Sequence, residues 1–376
     1  MISDEHEGRT HAPADPRRRP ARVDRTVTSL VVDAKPWPSA QPPRSVLAVR
    51  LQCFGDLVAV LPYLHQIRQL HPGARLDLLT RDLYADFVDT VGWLDHAVYL
   101  GRSWTDGQAL RSLAPLLPRL LAARYDVVLD LQGSRLTRRL RKLLRPAAWT
   151  HFDRYSPRPA YERVRDTVER AGLGSIVHRP GFGPFDAVEA RARLRDAGWR
   201  SGESLILLSP GSHIPTRQWP TERWLELAGM IARDWSDPVR LLLLGVDRIK
   251  HRTDAIAAAP DLPVIDLVGR TTMSELGPLL SLVRLTVTED GGLCHLSCAV
   301  GTPTLALLPG GAAAVWVRPI GPRAAHIAPV GVDCAPCLDS VCRYGDMHCA
   351  EWSARQVLDA AIRLDERVAV GPAGGG

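Results

Sequence analysis

Two successive sets of short apolar runs, each alternating with helix-period segments, constrain this chain more than any other feature. Ser45–Arg50 (SVLAVR) reads as a buried strand. A turn at Gly55 leads into a helix from Asp56 to Leu70, where Leu57, Val60, Leu61, Leu64 and Ile67 recur at helical spacing. Arg75–Thr80 is the next strand, set off by His71-Pro72-Gly73, and Asp126–Leu131 is another, ending at Gln132-Gly133 before a helix. The pattern restarts with strands over Leu205–Ser209, Val239–Val246, Val264–Val268, Leu285–Thr288 and Thr304–Leu308. Helices over Thr221–Arg233, Arg248–Ala258, Met273–Leu282 and Leu293–Val300 separate them. Continuous apolar strands alternating with helices belong in parallel sheets with right-handed crossovers. Two sets in series predict two doubly wound α/β domains, and 376 residues are too many for one ordinary core.

The first domain is expected over 45–186 and the second over 187–365, divided within the charged, Gly/Pro-broken stretch Arg179–Ser204. Residues 1–44, with the run Pro16-Arg17-Arg18-Arg19-Pro20, read as a flexible extension, and 366–376 as a flexible tail. No apolar run approaches the roughly 18 residues needed to span a bilayer. The Arg-rich beginning holds no continuous apolar region, so a cytoplasmic location is expected. A formal charge of +6 and a pI near 9.1 favour anionic partners such as nucleotides, phosphorylated glycans or a membrane surface. Seven cysteines in a chain this long do not describe a secreted disulfide scaffold.

In open α/β sheets ligands sit beyond the carboxyl ends of the strands. Three loops there carry chemistry. In Arg50–Asp56 a glycine allows a sharp turn, and Asp56 is either a helix N-cap or a general base. In Ser209-Pro210-Gly211-Ser212, followed by Thr216-Arg217-Gln218-Trp219-Pro220, a small polar loop admits a phosphate and Arg217 offers a fork of donors. The alternative there is that Trp219-Pro220 staples the next helix and Arg217 is a solvated charge. In Thr288-Glu289-Asp290-Gly291-Gly292-Leu293-Cys294-His295 a strand ends in two glycines as a helix begins. Its unpaired N–H groups and dipole would suit a diphosphate; otherwise this is a structural turn capped by Asp290.

Taken in this order, these segments resemble glycosyltransferase family 9, the ADP-heptose:lipopolysaccharide heptosyltransferases. The resemblance runs over roughly residues 45–363. It rests on Val49-Arg50 to Gly55-Asp56, Leu61-Pro62-Tyr63-Leu64, Asp130-Leu131-Gln132-Gly133 and Pro210-Gly211-Ser212. Arg217-Gln218-Trp219-Pro220, Leu267-Val268-Gly269-Arg270-Thr271, Asp290 to Leu296 and Ala299 to Thr304 complete it. The chain departs from the family pattern at Gln52-Cys53-Phe54, where small hydroxyl residues are usual. It departs again at Gly291, where Ser or Thr is usual, and at Pro309-Gly310-Gly311.

The resemblance implies a GT-B fold of two facing Rossmann-like domains with an interdomain cleft, inversion at the anomeric carbon and no catalytic metal. It implies an ADP-sugar donor, a heptose or related sugar, and an anionic glycan, glycolipid or small-molecule hydroxyl acceptor; no specific nucleic acid is expected. Asp56 takes the place of the general base. Ser212, Arg217 (usually Lys), Asp290, Gly291, Gly292, Leu293 and His295 take the donor side, and Arg50, Gln52 and Gln132 the acceptor side. A GT-B-fold sugar-nucleotide epimerase and a basic glycan- or nucleic-acid-binding protein are the alternatives.

Two further segments stand out. Ser134–Arg145 holds six basic residues and no acidic one, with Leu136, Leu140, Leu143 and Leu144 on one side. It is either a docked helix with a solvated basic face or a contact for an anionic acceptor or the inner membrane surface. Cys334, Cys337, Cys342 and Cys349 form a C-x₂-C-x₄-C-x₆-C cluster; a structural zinc, disulfides and free thiols are all open there.

Overall fold

A computed structural model describes residues 33–101, 106–154, 156, 158–312, 314–319 and 321–370. The expected extension up to residue 32 and the tail from 371 lie outside these. The chain divides into two compact units, one ending at Gly183 and the other beginning at Pro184.

The first unit carries a six-stranded sheet: β1 (Ala34–Lys35), β2 (Ser45–Val49), β3 (Arg75–Arg81), β4 (His96–Leu100), β5 (Val127–Asp130) and β6 (Ala148–His151), in the order β1-β6-β5-β2-β3-β4. All pairings are parallel except β1 on β6. Every residue of β2 and β5 is buried, as strands covered on both faces must be. The stretch expected to stay flexible up to residue 44 therefore contributes an edge strand, with Ala34 opposite Thr150.

The second unit repeats the scheme with β7 (Ser204–Ser209), β8 (Val239–Leu243), β9 (Val264–Asp266), β10 (Leu285–Glu289), β11 (Thr304–Leu307) and β12 (Ala324–Ile327), all parallel, in the order β12-β11-β10-β7-β8-β9. Counted from β7, this is the doubly wound order 6-5-4-1-2-3. Its reversal point falls between β7 and β10, and that of the first sheet between β2 and β5. A helix over Ala354–Val370 closes the second unit by burying Val357, Leu358, Ala361 and Leu364. That apolar stripe carries the helix past 365, so 366–370 is helical rather than a loose tail. Strands β1, β4, β6 and β12 escaped the sequence reading because their runs are short or interrupted by polar residues, as in His96–Leu100 and Ala148–His151.

Among the described residues no helix is long and apolar enough to cross a membrane.

Candidate active site

In the first unit, the loop after β2 and the turn after β5 lie side by side at the reversal point. Helix Phe54–Leu70 starts earlier than expected. Its N-cap is Cys53, held at φ 55°, and Asp56 sits in the first turn with no capping role. The Asp56 carboxylate is half-exposed and takes an ion pair from Arg50 Nη2 at 2.6 Å. Arg50 is buried; its other amine donates to the Leu131 carbonyl and its guanidinium lies 5.1 Å from the Phe152 ring centroid. Asp56 is thus aimed by a rigid cation rather than by the helix end.

Gln132 is buried and its amide is engaged: Oε1 accepts from the N–H groups of Leu51 (2.9 Å) and Gln52 (3.1 Å), and Nε2 donates to Gln52 Oε1 (3.0 Å). Of the three expected acceptor contacts, Arg50 and Gln132 therefore hold the loop in shape, and Gln52 stands exposed beside them. Behind them, fully buried Asp130 accepts from Gly133 N (3.0 Å), Thr137 Oγ1 (3.0 Å) and His151 Nδ1 (3.0 Å). Gly133 has φ +63°, and a Cβ there would meet the Phe152 carbonyl at 2.2 Å, so this turn needs glycine.

The basic helix occupies Arg135–Leu144, N-capped by Ser134, which forms a reciprocal box with Thr137. One expectation about its faces is reversed. Leu143 is exposed, while Arg141 is buried with its guanidinium 3.4 Å from the Trp149 ring centroid, and burial depresses its pKa. The aromatic surface of Trp149 receives Arg141, and Leu143 is left exposed. Arg135, Arg138, Arg139, Lys142 and Arg145 remain exposed.

In the second unit, the loops after β7 and β10 meet at the other reversal point. Arg217 Nη1 donates to Asp290 Oδ2 at 2.8 Å, and His295 Nε2 lies 3.7 Å from Asp290 Oδ1. Arg217 keeps 29 % of its side chain exposed against 7 % for Asp290, so its remaining donors can still reach a ligand. Helix Gly292–Val300 begins here with Gly291 as N-cap, and Asp290 does not cap it. Its first amides, from Gly292 to Cys294, have no acceptor within the helix. Position 291 is extended, with Gly211 O the nearest neighbour to a virtual Cβ at 3.6 Å, so a side chain would fit there. Ser212 is buried, and its hydroxyl exchanges hydrogen bonds within the turn to Ile214. Leu293 is partly buried in the first turn of the helix. A guanidinium fork beside a helix N-terminus supplies what a diphosphate needs: directed donors and positive potential.

The sequence reading missed two residues beneath this site. Glu289, at the end of β10, and Arg252 are both buried and bonded to each other at 2.6 and 2.9 Å. A signal for them existed: Arg252 falls at helical spacing between Ile249 and Ile256 on the buried face, and Glu289 ends a buried strand run.

The four clustered cysteines come together. Cys334, Cys337, Cys342 and Cys349 line one pocket with Thr216, Tyr344 and His348, and none is bridged. His348 Nε2 lies 3.6 Å from Cys334 Sγ, and its Nδ1 is 2.8 Å from Asp346 Oδ1. Among the described residues no three His, Cys, Asp or Glu side chains are disposed to hold a metal ion. Burial raises the Cys334 and Cys349 thiols. Burial also pushes Cys342 up, but N–H groups of Met347, Tyr344 and Gly345 outweigh it and bring that thiol below its ordinary value. Iodoacetamide at neutral pH is expected to label Cys342 before Cys334 and Cys349, as read by peptide mass spectrometry over a time course; equal rates would contradict this.

The sequence profile of glycosyltransferase family 9 (heptosyltransferase) matches residues 183–348, which contain the whole second site. Lipopolysaccharide heptosyltransferase 1 of Pseudomonas aeruginosa is 27% identical over 325 residues, spanning 80% of this chain and 87% of that protein. The chain carries a glycosyltransferase family 9 (heptosyltransferase) match over residues 183–348. Solved structures agree in fold: a family 9 glycosyltransferase from Veillonella parvula superposes with a TM-score of 0.70 at 18% identity, over 86% of this chain and 97% of that one. ADP-heptose LPS heptosyltransferase II of Escherichia coli gives 0.66 at 16% identity, over 86% and 99%. The chain has the two Rossmann-like domains of the GT-B class, and the Arg217–Asp290 pair and the helix from Gly292 fall inside the family-matched region.

Proposed function

We propose that this glycosyltransferase moves a heptose from an ADP-heptose donor to a hydroxyl of an anionic lipopolysaccharide-core glycan, with inversion and without a metal step. The Arg217–Asp290 pair at the mouth of helix Gly292–Val300 is the observation that carries this reading. Arg217 and the first amides of that helix stabilise the charge that develops on departing ADP. Asp56, oriented by Arg50, removes the acceptor proton as the new bond forms. The exposed basic face of helix Arg135–Leu144 suits a phosphorylated acceptor, or the inner membrane surface in a cytoplasmic enzyme. Support for the donor comes from the relatives: the E. coli structure named above is of an ADP-heptose heptosyltransferase.

The test is a thermal-shift panel of ADP-, GDP-, UDP- and dTDP-sugars followed by acceptor-dependent ADP release in the presence of EDTA. Stabilisation by ADP-heptose and EDTA-resistant turnover are expected; indifference to every nucleotide sinks the reading. In the same assay Arg217→Ala removes a charge-assisted hydrogen bond of about 1.5–3 kcal/mol. Donor KM should rise roughly ten- to a hundredfold, and an unchanged donor KM would take Arg217 out of the phosphate site.

A further inference from the structure

We infer that Glu289 and Arg252 form a buried clamp that sets the donor-side loop in register with Asp290, making both positioning residues for the donor. The inference rests on the donor reading above and goes beyond it, because neither residue is expected to touch the substrate.

The geometry is specific to that task. The Glu289 carboxylate divides its two oxygens between the two ends of one loop. Oε2 accepts from Ser212 N at 3.0 Å, and Oε1 accepts from Trp219 N at 2.7 Å. Arg252 binds both of those oxygens through its two terminal amines. The same amines also hold the loop's carbonyls, Pro210 O at 2.8 Å and Trp219 O at 2.8 Å. The segment between Ser212 and Trp219 is thereby pinned at each end to one side chain. Arg217 lies within this segment, and its partner Asp290 is the residue immediately after Glu289. One carboxylate therefore fixes the separation between the guanidinium and the strand end that it must face.

A pair with 3 % and 0 % of its side chains exposed is not a surface convenience. Two charges removed this far from water are retained at a desolvation cost, and apolar residues of similar volume often serve stability as well or better. What apolar residues cannot do is satisfy the Ser212 and Trp219 amides and the Pro210 and Trp219 carbonyls at once. Those four backbone groups define the loop. A clamp of this kind restricts the loop before the donor arrives, so less ordering has to accompany binding.

The experiment uses the full-length protein with ADP-heptose as donor, and measures KM for donor and acceptor separately, together with thermal unfolding. Glu289→Gln keeps the shape but weakens the bonds to Arg252. The double variant Arg252→Met with Glu289→Leu removes the charges while filling the space, and guards against loss of folding in the single variant. Folded variants are expected to raise donor KM about tenfold or more, with acceptor KM within about twofold of wild type. Arg252→Lys, which keeps the charge but loses the fork, should fall between. Wild-type donor KM in a folded double variant overturns the clamp. So does an equal rise in both KM values, which would mark a general loosening. If the wild-type chain itself neither binds nor turns over ADP-heptose, the donor reading fails first, and that outcome is visible before any variant is made.

Discussion

Asp56→Asn is expected to lower transfer by about 10²–10⁴-fold, the range that a positioned general base contributes, while leaving the thermal shift with donor unchanged. The amide keeps the size of the side chain and can still accept from Arg50 Nη2, which now approaches to 2.6 Å, so the loop and the start of helix Phe54–Leu70 should hold. What the amide loses is the capacity to take a proton from the acceptor hydroxyl. Single-turnover ADP release against acceptor concentration separates the cases. A fall in the maximal rate with unchanged donor binding supports the base, and near-normal turnover removes Asp56 from that role. Because Asp56 does not cap the helix, the variant should not lose the stability that a deleted N-cap would cost.

Trp224→Ala should strongly destabilise the second unit. Trp224 is fully buried, lies edge-on to Trp219 with ring centroids 5.3 Å apart, and packs in the cluster with Leu227, Ile231, Leu241 and Val287. Replacing so large a side chain leaves a cavity that its neighbours can only partly fill, at a cost of about 3–5 kcal/mol. Its indole N–H also points at Glu289 Oε1 at 3.4 Å, so the cavity opens next to the charged clamp. Urea unfolding of the full chain should show a transition at markedly lower denaturant, with the slope for that transition retained. A midpoint indistinguishable from wild type would mean that the tryptophan pair carries little of the packing. The two units need not unfold together, so the transition has to be followed by a probe within residues 184–370.

The alternation of strand and helix was legible because buried parallel strands need continuous apolar residues, and the turns between them need glycine or proline. Ser45–Val49, Ser204–Ser209 and Leu285–Glu289 all appear within a residue or two of where their patterns place them. The loops that follow these strands were legible for the same reason, and so was the family resemblance built on them. Asp56 was found as a candidate, but its local role was not. Spacing alone left it as cap or base, and only the Arg50 ion pair and the earlier N-cap at Cys53 decide that it is free of the helix end.

The amino-acid sequence by itself determined the two doubly wound sets, the turns at their strand ends and the residue types available there. Each of these follows from local periodicity and backbone freedom. The tertiary structure alone decided which of those residues become partners. Gln132 reaches back 81 positions to Leu51, Glu289 reaches back 77 to Ser212, and Arg252 reaches forward 37 to Glu289. The first two pairs form because β5 lies against β2 and β10 against β7, and the third because the helix over Lys250–Ala257 brings Arg252 to the end of β10. That adjacency is a property of sheet order and helix packing, and burial then favours partners among whatever the neighbouring elements deliver.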